Sequence, residues 1–292
     1  MPPRQTHLHN AGFHLIQGTI AMSGILFERL KQKHRTMHYP SGPAPELPER
    51  WNGLPVLNPN GKILDPENAL TCPTGALHFK DGRPVAIDMG TCLFCGKCAA
   101  RYPDCISFGK EYSLARFDRE SLVVGDVEAV FPKADKRADA KTEQMRKKDT
   151  EEREQRVKKI RALCKRSFKM RQVSAGGCNA CEADSNVLTT IGWDLSRFGI
   201  GFVASPRHAD GLLVTGPVTP NMRLALEKTY NAVPDPCVVI AVGACAISGG
   251  VYAGKREQCG VDGILPVDMY IPGCPPHPLV ILEGLLRLLE KV

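Results

Sequence analysis

The chain has 292 residues, 43% hydrophobic and 24% charged, which excludes wholesale disorder and collagen-like repeats and leaves room for one large domain or two ordinary ones. Its 38 Lys+Arg against 31 Asp+Glu give a formal charge of +7, and its twelve cysteines sit in a chain far too long for a small disulfide scaffold. The first eleven residues are polar and His-rich with no apolar h-region, so no signal peptide is expected. The expected setting is a reducing compartment, where many cysteines point to metal and not to disulfides.

Residues 1–45 are irregular and hold five of the eight histidines. His7, His9 and His14 lack ligand spacing and read as surface. Met22, Ile25, Leu26 and Leu30 fall on one helical face, accompanied by Arg29, Lys31, Lys33 and Arg35. That pattern predicts a short basic amphipathic helix able to lie on a membrane or a membrane subunit. Met22 is an alternative start of translation.

Residues 46–118 are turn-rich and hold five cysteines. Cys92-x2-Cys95-x2-Cys98 places three thiols in one tight loop, with Gly96 letting the backbone turn closely around what they hold. Cys72, followed by Pro73, is the natural fourth. A structural zinc site is the alternative for cysteines so arranged. The pattern resembles bacterial-type ferredoxins, in which the Cys before Pro ligates the cluster of the other motif. The positions four, seven and ten residues before Cys72 hold Asn68, Asp65 and Lys62, and Cys98 is followed by Ala99-Ala100-Arg101-Tyr102-Pro103 in place of a Cys-Pro pair. One ligand set is therefore lost as a unit and the other kept. The resemblance implies a small α+β ferredoxin-like domain with a single [4Fe–4S] cluster on Cys72, Cys92, Cys95 and Cys98. Cys105 is a spare with the wrong spacing.

Residues 119–166 read as a charged helical linker. From 133 to 171 there are 16 Lys+Arg and 7 Asp+Glu, a local charge of +9 that leaves −2 for the rest of the chain. Residues 141–166 have few apolar anchors and opposite charges spaced as neighbours on a helix, Glu152 with Arg156 and Glu154 with Lys158. A solvated linker helix is the expectation. A basic arm for nucleic acid is the alternative, although the run has only Phe168 as a stacking residue.

Residues 167–292 alternate strand-like runs (168–174, 199–204, 212–214, 237–242, 269–271) with helical ones (222–231, 279–289). This predicts a parallel sheet covered on both faces, with its ligand site at the carboxyl ends of the strands. The best candidate membrane span, residues 237–254, contains four glycines and reads as a buried strand plus a loop. Cys178-x2-Cys181 alone suits a zinc half-site or a redox dithiol equally. With Cys245 and Cys274, both at strand ends, four thiols converge on one sheet edge and a second [4Fe–4S] site is favoured. Cys237 opens a buried strand and reads as core, Cys164 falls in the linker helix, and Cys259 lies in a loop.

Residues 177–182, Ala204-Ser205-Pro206-Arg207-His208-Ala209-Asp210, 213–219, 243–250 and 264–276 together resemble the small subunits of [NiFe] hydrogenases. The match is nearest the membrane-bound, energy-converting group 4 (formate hydrogenlyase-like), whose relatives include the 20 kDa iron–sulfur subunit of complex I. Complex I subunits typically carry adjacent cysteines, whereas Cys178-x2-Cys181 is the hydrogenase style. The fold so implied is α/β: a flavodoxin-like parallel sheet domain at the C-terminus plus the small α+β ferredoxin-like domain at the N-terminus. The resemblance implies that Cys178, Cys181, Cys245 and Cys274 hold the cluster nearest the active site of a large subunit. Glu182 and Asp184, on either side of Ala183 where many hydrogenases carry glutamate, become candidates for a proton path. Arg207 becomes a candidate for tuning the cluster, with a salt bridge to Asp210 as its structural alternative, and His208 reads as a loop hydrogen-bond donor that can also tune it. The implied function is electron transfer through two [4Fe–4S] clusters, with no catalysis by this chain alone. The implied partners are a large catalytic subunit, nickel-bearing or quinone-binding, and other iron–sulfur and membrane subunits, at the cytoplasmic face of the cell membrane. A complex I-like NADH or ferredoxin:quinone oxidoreductase, or a related complex without nickel, is the alternative assembly. No nucleic acid is expected.

Overall fold

A computed structural model describes residues 24–33, 35–58, 60–61, 72–132, 136–255 and 258–292, the side chains of 136–146 excepted. His7, His9, His14, Met22, Lys62, Asp65 and Asn68 lie outside the described residues. The basic amphipathic segment is helical over 24–32 (α1). Ile25, Leu26, Phe27 and Leu30 on it are 62–77% exposed, so the described chain does not cover its apolar side.

The N-terminal half is built from short antiparallel pieces. β1 (Pro55–Leu57) pairs with β4 (Ile106–Phe108), and β2 (Leu77–Lys80), β3 (Arg83–Asp88) and β5 (Val123–Gly125) form a second sheet with β3 at its centre. The β2–β3 connection is Asp81-Gly82, both at positive φ, the two-residue turn whose twist matches an antiparallel hairpin. A five-residue helix, α2 (Lys97–Arg101), follows the thiol loop, and α3 (Val127–Val130) is started by the Asp126 side chain accepting the Glu128 N–H. Because β5 pairs with β3, residues 119–125 belong to this antiparallel module and not to a helical linker. The buried Asp88 carboxylate ties the module together. It takes two N–H groups of Arg119 (2.7 and 2.5 Å) and the Gly90 N–H (2.9 Å), a bidentate charge-assisted arrangement.

The charge run is the helix α4 (Lys136–Leu163). Two of its few apolar residues, Val157 and Ile160, are buried, as is Cys164 just beyond its end, whereas Leu163 is exposed. Arg156, spaced to meet Glu152, reaches Asp268 instead, and Arg161 bonds the Leu288 carbonyl and Glu290. The last turns of the expected solvated linker are therefore a docked element.

The C-terminal half is a five-stranded parallel sheet of β6 (Phe168–Ser174), β7 (Ile200–Phe202), β8 (Gly211–Thr215), β9 (Val238–Val242) and β10 (Met269–Ile271). Counted within the domain, the order is 2-1-3-4-5, that of flavodoxin-like doubly wound sheets. Every residue of β8, β9 and β10 is buried, as strands covered on both faces require. The helices are α5 (Ala180–Val187), α6 (Pro220–Tyr230), α7 (Ala244–Ser248) and α8 (Pro278–Leu288). α8 is buried on nearly every side, the mark of an interior helix.

The two halves share one core. Tyr39, Met89, Leu114, Ala115 and Leu122 pack in the same apolar cluster as the sheet. Arg116 and Tyr270 exchange backbone hydrogen bonds of 2.9 and 2.8 Å, which covers the exposed edge of β10. Gly284 permits the approach of α8, since a β-carbon there would stand 2.9 Å from the Ala115 methyl.

Two candidate four-thiol sites

The first site is wrapped by a local loop. Cys92 follows β3, its N–H bonded to the Asp88 carbonyl, so the Asp88–Arg119 pair also fixes where the loop begins. Phe94 sits at φ +52 and donates its N–H toward Cys92 Sγ (3.3 Å), and Gly96 (φ +72) redirects the chain into α2, which carries Cys98. Cys72 begins a turn closed by the Gly75 N–H to its carbonyl (3.1 Å). Cys72, Cys92, Cys95 and Cys98 line one pocket whose other walls include Ala76, Leu77, Ile87 and Phe108. Cys105 is buried in the same small core but is not part of that pocket wall.

The second site is assembled by the sheet. Cys178 and Cys181 follow β6, Cys245 lies in the first turn of α7 after β9, and Cys274 follows β10. All four stand beyond carboxyl ends of strands, where an open α/β sheet leaves its crevice. Gly177 and Gly216 meet back to back: a β-carbon on Gly177 would lie 3.0 Å from the Gly216 Cα. Gly243, at φ +90, is narrower still, since a β-carbon there would lie 2.6 Å from Cys181 Sγ. Cys181 and Cys245 are half-buried, whereas Cys178 and Cys274 are exposed, so this site opens at the surface.

Each set of thiols feels its own members. Burial, then the charges of Cys98, Cys72 and Cys95, push Cys92 up to about 12. Burial, then Glu182, Cys274, Cys245 and Cys178, raise Cys181, and burial with Cys274, Cys178 and Glu182 pushes Cys245 up to about 11. Cys72 is the exception: burial raises it, but hydrogen bonds from Thr74 and the backbone near Ala76 and Leu77 outweigh burial and hold it low. Four thiolates held together repel one another, and bound cations offset that charge. The donor set of each site fits a [4Fe–4S] cluster, which takes four thiolates at its corners.

Glu182 is 6% exposed and accepts a 2.6 Å hydrogen bond from the Thr215 hydroxyl, which fixes the carboxylate beside Cys181. Asp184 is half-buried, and burial holds its carboxyl above the usual range. Arg207 and His208 are exposed in a short turn, Pro206–His208. Asp210, the alternative partner considered for Arg207, accepts the Lys169 N–H at 2.7 Å, tying its loop to β6. Cys237 is buried in the core and Cys259 is exposed. Trp51 and Asn52, which line a cleft with Cys274, and Trp193, against His277, carry no sequence signal, because each gains its place only through partners remote in the chain.

Fold and site together define a doubly wound α/β domain with a four-thiol edge, joined to an antiparallel module with a second four-thiol loop. Residues 178–288, which contain all four thiols of the sheet edge, match the family model described as NADH ubiquinone oxidoreductase, 20 Kd subunit. The chain is 44% identical over 145 residues to "Probable membrane-bound hydrogenase subunit mbhJ" of Pyrococcus furiosus, a span of 48% of this chain and 87% of that protein. It is 45% identical over 116 residues to an NADH-quinone oxidoreductase subunit of Citrifermentans bemidjiense (40% and 68% of the two chains). It is 46% identical over 133 residues to formate hydrogenlyase subunit 7 of Escherichia coli (44% and 51%). The chain belongs to this family of complex I 20 kDa and [NiFe]-hydrogenase small subunits.

Proposed function

We propose that the chain is an electron-transfer subunit carrying two [4Fe–4S] clusters in a membrane-associated, hydrogenase-type complex of group 4, formate hydrogenlyase-like kind. The observation that carries this reading is the pair of complete four-thiol sets, one on each half of a shared core. Cys72, Cys92, Cys95 and Cys98 would hold one cluster, in the manner of a ferredoxin-like domain, and Cys178, Cys181, Cys245 and Cys274 the other. Each cluster, when bound, supplies a one-electron carrier. The protein contributes apolar walls, close glycine backbone and sulfur-directed N–H groups, which set potential and exclude water. The chain alone catalyses nothing in this reading.

Exposure of Cys178 and Cys274 supports a large catalytic subunit docking over the second site. Glu182 beside that site is the better-placed proton carrier, and Asp184, farther out and with a raised affinity for its proton, extends the path toward such a subunit. The relative named as an NADH-quinone oxidoreductase subunit supports the second reading, a complex I-like or nickel-free assembly. The two Cys-x2-Cys pairs that hold nickel, present or absent in the partner large subunit, discriminate the two. Iron and sulfide analysis of the anaerobically reconstituted full chain is expected to give about eight irons. About four irons, or a colourless protein with stoichiometric zinc, overturns the two-cluster reading.

No helix among the described residues is long and apolar enough to cross a membrane. α1, with an uncovered apolar side and Arg29 and Lys31 beside it, suits peripheral attachment at the cytoplasmic face. Deleting residues 24–33 is expected to move the complex from the membrane fraction to the soluble fraction. Retention on membranes would show that attachment lies elsewhere. Binding of nucleic acid is not expected, since Arg156 and Arg161 of the basic run are engaged within the chain. Salt-sensitive binding of DNA or RNA by residues 133–171 would reverse that expectation.

A further inference from the structure

Two adjacent residues touch both thiol loops. Asn52 donates its side-chain amide to the Phe94 carbonyl (2.9 Å), inside the loop that carries Cys92 and Cys95. Trp51 sets its ring edge-on to His277, three residues beyond Cys274, with centroids 5.4 Å apart at 66°. Trp51, Asn52, Leu93, Phe94, Cys274 and His277 all line one cleft, so the first thiol loop and a thiol of the second site face the same space.

The aromatic pair is held firmly. Lys110 Nζ donates to the carbonyls of Glu49 (2.5 Å) and Trp51 (2.9 Å), anchoring the segment. His277 Nδ1 accepts the Leu279 N–H (3.2 Å) at the start of α8, and Trp193 meets the same imidazole edge-on at 6.0 Å. The Trp51 Nε1–H, by contrast, is buried without an acceptor among the described residues, so a hydrogen bond does not explain why a tryptophan stands there. Its value lies in the ring.

We propose that Trp51 and His277 couple the two four-thiol sites, their rings forming the packed medium through which an electron tunnels from one to the other. This rests on the two-cluster reading. One electron leaves one site and one arrives at the other; no bond forms or breaks, no proton moves, and neither ring is oxidised. Tunnelling falls exponentially with distance, and more steeply through water than through packed side chains. Replacing the indole by a smaller side chain that admits water therefore weakens coupling more than replacing it by another ring.

The test uses the full chain, reconstituted anaerobically, with iron counted and the electron paramagnetic resonance signal of each reduced site recorded. A pulse of photoreduced flavin then delivers single electrons, and their redistribution between the sites is timed. Trp51→Leu is expected to slow redistribution several-fold with iron and both signals unchanged, and Trp51→Phe to restore most of the rate. His277→Asn keeps an acceptor for the first turn of α8 but removes the ring, and is expected to slow redistribution likewise. Wild-type rates in Trp51→Leu and His277→Asn with both sites filled overturn the proposal. Loss of iron from Trp51→Leu, with His277→Asn filled and at the wild-type rate, overturns it too, assigning Trp51 a structural role. A wild-type chain holding about four irons sinks the two-cluster reading itself, before any variant is compared.

Discussion

Gly243→Ala is expected to empty the second site, lowering iron from about eight to about four per chain while the first site keeps its absorbance. The residue follows β9 at φ +90, a conformation that L side chains rarely adopt. A β-carbon there would stand 2.6 Å from Cys181 Sγ. Two penalties therefore act at one point: backbone strain, and displacement of a thiol that has to meet the other three. The backbone itself has little room to shift, because the Gly243 N–H bonds the Ile271 carbonyl (2.8 Å) and the Ala244 N–H bonds the Gly273 carbonyl (2.8 Å), one residue before Cys274. Strain at Gly243 is thus passed to the Cys274 loop. Cys245→Ala serves as the reference for removal of one thiol. A Gly243→Ala chain with a full iron complement and an unaltered spectrum for the second site would refute the steric account.

The second large effect is on stability. Arg156→Leu is expected to destabilise the chain by about 3–5 kcal/mol, the loss typical when one partner of a buried ion pair is removed. That is a large part of the roughly 5–15 kcal/mol that a domain possesses. The Asp268 side chain is 0% exposed; its carboxylate accepts from Arg156 (2.9 and 3.0 Å) and from the Val239 N–H (2.8 Å). Without Arg156 the Val239 bond and the charge of Arg153 are left to offset a fully buried carboxylate. Burial already holds the Asp268 carboxyl above its usual range, against the pull of Val239 and Arg156. A carboxyl whose folded value exceeds its unfolded one binds its proton more tightly in the folded state. Its contribution is then full below the unfolded value and is lost as pH rises through the folded value. Removing Arg156 raises the folded value further, so the deficit of Arg156→Leu should be largest at neutral pH and shrink in acid. Denaturant midpoints at several pH values measure this. The double variant Arg156→Leu/Asp268→Asn, with no charge left to bury, should recover most of the loss. A deficit that is independent of pH, or unrelieved in the double variant, would contradict the role given to this pair.

How legible these features are follows from how local their causes are. Cys92, Cys95 and Cys98 lie within one loop, so their spacing alone carries the geometry, and the structure places them with Cys72 around one pocket. The central strands are equally plain: apolar runs expected at 212–214, 237–242 and 269–271 appear as β8, β9 and β10, because strands buried on both faces admit little else. The helical runs at 222–231 and 279–289 correspond to α6 and α8. β1, β4 and β5 are only three residues each, too short for any periodicity to declare them, and each exists by pairing with a distant strand. The docking of α4 was hidden by composition: a helix so rich in charge reads as solvated, and Val157, Ile160, Arg156 and Arg161, each meeting a remote surface, make its last turns part of the fold.

The chemistry is written in the order of the chain, since thiol spacing, the glycines beside the thiols and the alternation of apolar runs are properties of neighbouring residues. How the two sites stand to one another is settled by packing alone. Packing fuses what composition presents as two near-neutral domains on a basic tether into one core, through Arg116 on Tyr270 and Arg156 on Asp268, and it brings Trp51 against His277. The physical reason is range: a ligand loop is specified by a handful of adjacent φ, ψ and side-chain choices, whereas an ion pair or ring contact between remote segments arises only after folding has removed the water and the distance between them.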